Sequence, residues 1–508
     1  MAFAEPSALG VPAKVSGALD ASTERIPLPV EFVNSEHVPL AVDLDGTLIK
    51  TDLLWESLLA LLKRNFFLLF LTPVWLLKGR AYLKQEIARR IALDVTALPY
   101  NEEFLNFLRE EHGRGRMLVL TTAADRVLAQ NIADYLAIFA EVLASNGKQN
   151  LKRTAKRKAL QDKFGNRGFD YAGNADDDLE VWAYSNAAVV VNAPTRVIRQ
   201  TETIGRVTGV FAKTGNAPGA LIRALRIKHW IKNLLIFVPL ITSQELEKFD
   251  LILQAIYAFA AFSLTASSVY VLNDLCDLSN DRQHHEKRKR PFAAGELSLA
   301  TGLVLVPLLL FIAILISLLL PLGFLSVSAG YFVLNLVYSL YLKKILLLDV
   351  ISLAIFYTLR VVAGGLATGV IASNWLLVFS VFIFLSLAFA KRVSELHFLR
   401  DSHKEKTQGR GYISTDLEQL AYFGAASGYI SVMVFALYVN SPNAKQVYTS
   451  SSMLWIVCPL LLYWISRLWL MVHRRQIPED PIVFVFNDKV SWLVGLLVGI
   501  VLIVAGLI

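Results

Sequence analysis

Hydrophobic and polar positions are arranged differently in the two halves of the chain. Up to about residue 222, apolar and charged residues alternate over short intervals, as they do in a soluble domain. Beyond about residue 233, uncharged apolar runs recur at lengths close to the roughly 20 residues that a helix needs to cross a bilayer. The pattern predicts a soluble domain followed by an all-α polytopic membrane domain.

The uncharged runs predict nine transmembrane helices. Their approximate bounds are 232–242, extended by the amphipathic stretch before it, then 251–272, 299–320, 322–342, 345–370, 374–390, 420–440, 452–472 and 491–508. Lys and Arg crowd alternate connections, at 223–232, 282–290, 343–344, 391–410 and 474–475, and such an excess marks the cytoplasmic side of a membrane protein. We therefore expect an inner-membrane protein with its basic loops and soluble domain in the cytoplasm.

Composition agrees with this division. Of the 508 residues, 55% are hydrophobic, and the net charge of +8 comes from bases that lie beside apolar runs, which favours a membrane rather than nucleic acid as the partner. Two cysteines, Cys276 and Cys458, support neither a disulfide framework nor a cysteine metal site. We expect a disordered tail at 1–36, an α/β domain at 37–200, a linker at 201–221 and the membrane domain at 222–508. The sequence leaves a homo-oligomer open.

The stretch "VPLAVDLDGTLIKTD" places two carboxylates at the end of a short apolar strand. Because alternate strand residues share a face, Asp43 and Asp45 should lie together at the strand's carboxyl end, where open α/β sheets carry their sites. One carboxylate can attack phosphorus while the other transfers protons, and Mg²⁺ would offset their charge. The predicted chemistry is phosphoryl transfer.

Three later stretches follow in the order of a known family. They are "GRMLVLTTA", "TAKRKAL" and "FDYAGNADDDLEVW", and with the first motif they resemble the haloacid dehalogenase superfamily, which implies a Rossmann-like fold with a helical cap at about 53–110. The resemblance implies Asp43, Asp45, Thr122 and Lys156 as catalytic residues, and Asp43, Asp45, Asn174 and Asp178 as ligands of Mg²⁺. Asn174 stands where the family usually has an acid. The alternative is a non-catalytic regulatory module.

The predicted cap contains the stretch "LLWESLLALLKRNFFLLFLTPVWLLKG". Its uncharged part, residues 65–77, is too short to span a bilayer. Bases flank it, as they flank surfaces that dip into the headgroup region. A surface of this kind and a buried helical pair inside the cap are both compatible with the sequence.

The stretch "NDLCDLSND" follows directly on the apolar run 251–272. Asp274, Asp277 and Asp281 recur at spacings of three and four residues, with Asn273 beside them, so a helical end would turn the carboxylates to one face. Like charges this close remain ionised when a cation lies among them, and oxygen ligands suit Mg²⁺ shared with a pyrophosphate. The sequence predicts a metal and diphosphate site at this helix end.

The same stretch resembles the first aspartate-rich motif of the UbiA superfamily of intramembrane prenyltransferases, whose fold has nine helices. At the place of the family's second acidic motif, this chain reads "FAKRVSELHFLR", with Lys391, Arg392 and Glu395. Together with "DRQHHEKRKRPFAAG", this is similar to the decaprenylphosphoryl-5-phosphoribose synthase branch. That branch implies transfer of 5-phosphoribosyl from phosphoribosyl pyrophosphate to a polyprenyl phosphate.

The resemblance implies roles for further residues. Asn273, Asp274, Asp277 and Asp281 would hold Mg²⁺ and pyrophosphate, and the expected substrate contacts are Lys228, Lys232, Lys287, Arg288, Arg290, Tyr338, Lys343, Arg360, Lys391, Arg392 and Glu395. Lys228 and Lys232, four residues apart, are expected on one helix face. The fused domain would remove the 5-phosphate of the product. The alternative for the membrane domain is a prenyltransferase with an aromatic acceptor.

Overall fold

The computed structural model describes residues 38–212, 216–370, 372–401, 410–477 and 481–507. The predicted tail, 1–36, lies outside these residues. The N-terminal part is a six-stranded parallel sheet in the order β3-β2-β1-β4-β5-β6. Its strands are β1 Leu40–Val42, β2 Leu118–Asp125, β3 Glu141–Ser145, β4 Asp170–Gly173, β5 Ala188–Val191 and β6 Val207–Phe211. Because β6 pairs with β5, the sheet continues into the segment predicted as a linker.

Helices cover the sheet and build a cap over its carboxyl edge. They are α1 Leu53–Arg64, α2 Thr72–Leu77, α3 Arg80–Ala88, α4 Glu102–Gly113, α5 Arg126–Leu136, α6 Thr154–Phe164, α7 Leu179–Trp182 and α8 Thr195–Ile204. A 3₁₀ helix, Phe66–Leu71, joins α1 to α2. Phe104 and Leu108 of α4 belong to the core of the sheet. The cap is therefore formed by α1 to α3, and the last helix of the predicted range 53–110 packs on the sheet.

Shorter helices connect the sheet to the membrane part and join its spans. They are α9 Ala217–Leu225, α10 Val238–Thr242, α12 Leu278–Gln283, α18 Pro442–Val447 and α20 Pro481–Asn487. Eight helical stretches of the described residues are long and apolar enough to cross a membrane: Phe249–Cys276 (α11), Leu299–Ser317 (α13), Leu322–Leu340 (α14), Leu348–Thr368 (α15), Asn374–Phe398 (within α16, Asn374–Asp401), Ser414–Val439 (containing α17, Leu417–Val439), Ser451–His473 (containing α19, Val457–His473) and Lys489–Leu507 (α21). This is the architecture of a multi-pass membrane protein.

The first of the nine predicted helices differs from the prediction. In place of one α-helix, residues Ile227–Phe237 form a 3₁₀ helix that runs into the short α10. Pro239 lies in the first turn of α10, where its missing N–H is tolerated but would interrupt a continuous α-helix. Lys232 and Asn233 are buried on this segment. Eight long spans, rather than nine, are therefore found among the described residues.

The two parts of the chain meet through the cap. Leu59 of α1 packs in one apolar cluster with Leu275, Phe292 and Leu299 of the membrane part. The Glu56 carboxylate accepts two hydrogen bonds from the Arg282 guanidinium, at 2.5 and 3.2 Å, and both side chains are buried. Charge pairing and apolar packing thus hold α1 against the loop that follows α11.

Gly295 allows the closest backbone approach at this contact. Its φ is +71°, a left-handed conformation that favours glycine, and a Cβ at this position would lie 2.6 Å from the Cβ of Lys50. The motif "RPFAAG" therefore contains a glycine that the interface between the two parts requires.

Candidate active sites

Asp43 and Lys156 form the centre of the site on the sheet. Asp43 follows β1, and α6 brings the Lys156 ammonium 2.8 Å from the Asp43 carboxylate and 3.7 Å from that of Asp178. Tyr171 of β4 accepts a hydrogen bond from Lys156 and donates one to Asp178 at 2.7 Å. Burial raises the pKa of Asp43 to about 6, although the charge of Lys156 opposes this shift. Three of the residues predicted from distant motifs are thus brought into one network.

Asp45 lies at the same edge of the sheet, but the contact described for it is with a backbone N–H rather than with a basic side chain. Its carboxylate accepts a hydrogen bond from the Leu53 backbone N–H at 2.8 Å. Burial, and next the charge of Asp52, raises its pKa to about 8, so the carboxyl holds a proton at neutral pH. A protonated carboxyl beside a carboxylate is the pairing that nucleophilic and general-acid chemistry require.

Asn174 is oriented by its neighbours. Its backbone N–H donates to Asp178 at 2.9 Å, and its side chain packs against Gly46, where an added Cβ would lie 2.0 Å from the amide nitrogen. The φ of Gly46 is +77°, so this position favours glycine on both counts. Asp177 instead pairs with Lys152 at 2.7 Å. The structure thus places Asn174 and Asp178, but not Asp177, in the network.

A cavity of about 910 Å³ opens over this site. Asp43, Asp45, Lys156, Asn174 and Asp178 line it, together with apolar residues of the cap and with residues 295, 296 and 298–300 of the membrane part. Thr122 is fully buried outside this lining, and its hydroxyl accepts a hydrogen bond from the Ala124 backbone N–H. Lys84 of α3, which the sequence reading missed, also lines the cavity; its ammonium donates to the Ala123 carbonyl at 2.6 Å.

The second site lies at the end of α11. Arg290 donates to the carboxylates of Asp274 and Asp281 at 3.1 and 2.7 Å, and Arg226 donates to Asp274 at 2.5 Å. Both acids are almost fully buried. Burial raises the pKa of Asp281, while the charge of Arg290 opposes the shift. Arg226, which no motif indicated, is therefore part of the predicted acidic site.

The other members of the motif point to different partners. Lys343 donates to Asp277 at 3.2 Å, and the Asn273 side-chain carbonyl accepts from the Ser339 hydroxyl at 2.8 Å. In the described part of the chain, no three His, Cys, Asp or Glu side chains converge as a ready metal site. Mg²⁺ commonly binds one or two protein carboxylates and completes its shell with water and substrate phosphate. Asp274 and Asp281 both accept hydrogen bonds from Arg290, so these two carboxylates are close enough to bind one Mg²⁺ together. Asp277 is paired with Lys343 instead, so the three aspartates do not surround a common point.

The region predicted to contact a phosphate through Arg392 is an internal ion-pair network. The Arg392 guanidinium makes a two-point contact with Asp349 and also donates to Glu395 at 2.6 Å. Tyr338 donates to Asp349 at 2.7 Å, and Arg410 forms an ion pair with Glu395. With 2% of its side chain exposed, Arg392 is turned to these partners. Arg392 therefore holds α15 and α16 together through Asp349, and its bond to Glu395 lies within α16.

Lys228 and Lys232 do not share a face, contrary to the prediction. Lys232 is buried beside the Tyr357 ring, whereas Lys228 is exposed. The reason is the 3₁₀ conformation of the segment, in which residues three apart, rather than four, lie above one another.

Arg360 is buried within the membrane helices. It donates to the Asn233 side chain at 2.7 Å and to the Tyr331 hydroxyl at 3.1 Å, and lies over the rings of Tyr331 and Tyr357. These contacts tie the 3₁₀ segment to α14 and α15.

Basic residues from separate loops surround the second site. Burial, and next the positive charges of Arg290 and Arg410, lower the pKa of Lys287, so the charges of the two basic loops act on one another. Lys391, in the C-terminal half of α16, is half-buried, and Arg288 is exposed. The convergence of Lys287, Arg290 and Arg410 produces a strongly cationic rim next to two buried acids, an arrangement that can bind a polyanion.

Comparison with known proteins gives a family match. Residues 236–490 match the family described as UbiA prenyltransferase family. The chain is 36% identical over 471 residues to uncharacterized protein y4nM of Sinorhizobium fredii, covering 92% of this chain and 91% of the relative. Nodulation protein NoeC of Azorhizobium caulinodans is 33% identical over 55% of this chain and 91% of its own length.

Further relatives match the membrane part. Decaprenyl-phosphate phosphoribosyltransferase of Mycolicibacterium smegmatis is 29% identical, covering 54% of this chain and 88% of its own. Among solved structures, a UbiA homolog from Archaeoglobus fulgidus bound to GPP and Mg²⁺ aligns with a TM-score of 0.43 at 16% identity, over 56% of this chain and 99% of that one.

Proposed function

Because the chain belongs to the UbiA prenyltransferase family, we propose that its membrane domain is a transferase that moves 5-phosphoribosyl from phosphoribosyl pyrophosphate to a polyprenyl phosphate. The N-terminal domain, of haloacid dehalogenase type, then removes the 5-phosphate. Both sites face the cytoplasm in this proposal. The final product is a polyprenyl-phosphoryl ribose.

The observation that supports the transferase proposal is that two buried acids, Asp274 and Asp281, lie beside the bases Arg290 and Lys287. Asp274 and Asp281 are available to a metal-bound diphosphate once Arg290 turns to the phosphate oxygens. At the place of a second acidic motif, Arg392 is paired with Asp349 and Glu395. One diphosphate site bordered by bases suits a donor with an additional 5-phosphate, and the relative from Mycolicibacterium smegmatis is named for such a transfer.

The transfer is a displacement at the anomeric carbon of the ribose. An oxygen of the polyprenyl phosphate forms the new bond to this carbon as its bond to pyrophosphate breaks, and pyrophosphate leaves with the electron pair. The attacking oxygen is already anionic, so no base is needed. Arg290, Lys287 and Arg226 would neutralise and orient the phosphates, because placement and charge stabilisation supply most of the rate for such reactions.

The dephosphorylation uses the network on the sheet. The Asp43 carboxylate attacks the 5-phosphorus, the bond to the ribose oxygen breaks, and Asp45 gives its proton to that oxygen. Water then hydrolyses the aspartyl phosphate, with Asp45 accepting its proton. Lys156 holds Asp43 in place and neutralises the phosphate. The raised pKa of Asp45, about 8, supports its role as the acid.

Mg²⁺ fits both sites, because their ligands are hard oxygen donors. On the sheet, Asp43, Asp178 and the Asn174 side-chain carbonyl would hold it, while Asp45 keeps the proton that it donates. At the second site, Asp274 of α11 and Asp281 of α12 would hold it, where it would offset the charge of the phosphate groups.

A test uses the purified full chain in phospholipid vesicles, with Mg²⁺, labelled phosphoribosyl pyrophosphate and polyprenyl phosphate. We expect lipid-linked ribose, pyrophosphate and inorganic phosphate. Asp274→Asn should abolish all three, whereas Asp250→Asn, an exposed change at the other end of the same helix, should not. Asp43→Asn should accumulate the lipid-linked ribose 5-phosphate, whereas the exposed control Asp134→Asn should not.

The same assay separates the alternatives. A prenylated aromatic product, formed from a prenyl diphosphate without use of phosphoribosyl pyrophosphate, would establish the aromatic prenyltransferase. Phosphate release that persists in Asp43→Asn would make the N-terminal domain a regulatory module.

A further inference from the structure

The cap carries an exposed apolar surface. Phe67, Phe70, Leu71, Val74, Leu76 and Leu77 are exposed, and we call these six residues the apolar cap surface. Phe67, Phe70 and Leu77 have 76%, 67% and 88% of their area exposed. A contiguous apolar surface of this kind marks an interaction site.

The segment has a separate inner face. Trp75 is buried in a cluster with Leu61, Leu83 and Ile87, so the cap already has its own core. Residues 65–77 are therefore not simply a buried helical pair, which was one of the two arrangements compatible with the sequence. One side of the segment forms the core of the cap, and the other presents phenylalanine and leucine outward.

Bases border the apolar cap surface at both ends. Lys63 and Arg64 precede the segment, Lys78 and Arg80 follow it, and all four are exposed. Exposed apolar side chains between exposed bases complement a bilayer that contains anionic lipids, whose headgroups attract Lys and Arg while the apolar groups enter the acyl boundary.

The helix that leads into the segment lies against the membrane helices. Trp55 and Leu62 of α1 pack on the same cluster as Leu303 and Val306 of α13. Since α13 begins at Leu299, these two residues lie roughly 6 and 10 Å along a helix that rises 1.5 Å per residue. The helix α1 therefore packs beside the first two turns of a predicted membrane span, and the apolar cap surface follows directly after α1 in the chain.

We propose that the apolar cap surface inserts into the interfacial layer of an anionic phospholipid bilayer. The cap is then part of the membrane-bound surface of the protein, although no residue of it spans the membrane. Leu76 and Pro73 of the same segment also line the cavity over Asp43. Insertion thus places one wall of this cavity at the lipid surface, and, granted the proposed phosphatase, its substrate class is a lipid-linked phosphate monoester rather than a soluble one.

The insertion itself is tested without any catalysis. In a background with Cys276→Ser and Cys458→Ala, single cysteines replace Phe67, Phe70 or Leu77, and an environment-sensitive NBD dye is attached. In vesicles of phosphatidylcholine and phosphatidylglycerol, we expect blue-shifted emission and quenching by brominated lipids. The matched control is Ile204→Cys, an exposed apolar position at the amino edge of the sheet, which should remain aqueous. Dye emission at Phe67, Phe70 and Leu77 equal to that of the control would overturn the proposal.

A second variant connects insertion to the substrate. In Phe67→Ser/Phe70→Ser/Leu77→Ser, which changes no residue of the cavity lining, release of phosphate from the lipid-linked substrate should fall at least about tenfold, since three apolar contacts with lipid are lost. Hydrolysis of soluble p-nitrophenyl phosphate should be unchanged. Equal rates for variant and parent on the lipid-linked substrate would refute lipid-surface delivery. A parent inactive on both substrates would refute the phosphatase, and the dye measurement would still decide insertion.

Discussion

Removing one partner of the Glu56–Arg282 ion pair should loosen the contact between the two parts of the chain. The guanidinium makes a two-point contact with Glu56, and 8% and 7% of the two side chains are exposed. In Glu56→Met, the buried guanidinium of Arg282 would lose its carboxylate partner. Among the described residues, its one remaining hydrogen bond would be the one from Nε to the Ala293 carbonyl, at 3.1 Å. Breaking a buried pair in this way costs about 3–5 kcal/mol, which corresponds to a factor of about 10² to 4 × 10³ in the docking equilibrium.

Hydrogen exchange of the full chain in detergent, read by mass spectrometry, measures this loss. Peptides that cover α1 and α12 should lose protection in Glu56→Met and in Arg282→Met. The double variant should recover most of it, because apolar replacement of a whole buried pair is often neutral or stabilising. Glu245→Met, which breaks an exposed pair with Lys248, should change protection by less than about 1 kcal/mol. A double variant with the summed loss of both single variants would refute the coupling.

Three other changes test the sites and their supports. Arg290→Met should reduce the proposed phosphoribosyl transfer in vesicles by about 10² or more, since buried Asp274 and Asp281 lose their shared charge partner. The exposed change Lys289→Met should leave this activity nearly unchanged, and equal activities of the two variants would contradict the role of Arg290. Gly295→Ala should increase hydrogen exchange in α1 because its Cβ would clash with Lys50, and unchanged exchange would show that the approach can relax. Arg392→Lys should lower the midpoint of thermal unfolding because an ammonium cannot reproduce the fork; an unchanged midpoint would argue that charge alone suffices.

The sequence predicted those parts of the fold that depend on local pattern. Alternating carboxylates after an apolar strand located Asp43 and Asp45, and the motif order located Lys156, which the structure places 2.8 Å from Asp43. Parallel sheets collect the carboxyl ends of distant strands at one edge, so local motifs there also predict a shared site. The long uncharged runs likewise predicted the eight long spans, because bilayer thickness fixes their length.

Where prediction differed from the structure, long-range pairing decided the outcome. A lysine four residues from another predicts a shared face only if the segment is α-helical, and at Lys228 and Lys232 it is 3₁₀. Arg392 has the composition of a phosphate contact, yet its partner Asp349 lies 43 positions away on another helix. Arg226 has no motif of its own, and its role depends on the fold bringing it to Asp274. Charge pairing across the fold is not encoded in spacing along the chain.

One short helix connects the acidic motif to the cap. Within α12, Asp281 is bonded to Arg290, and the next residue, Arg282, is bonded to Glu56 of α1. Gln283, the last residue of α12, donates to Asp94 of the N-terminal part at 3.0 Å. Three consecutive side chains therefore divide between the predicted diphosphate site and the contact with the N-terminal part. Because residues 295 and 298–300 also line the cavity over Asp43, the two candidate sites share part of their structural support. In the proposed function, this shared support gives a physical reason for the fusion, because a lipid-linked intermediate made at one site would remain in the bilayer close to the other site.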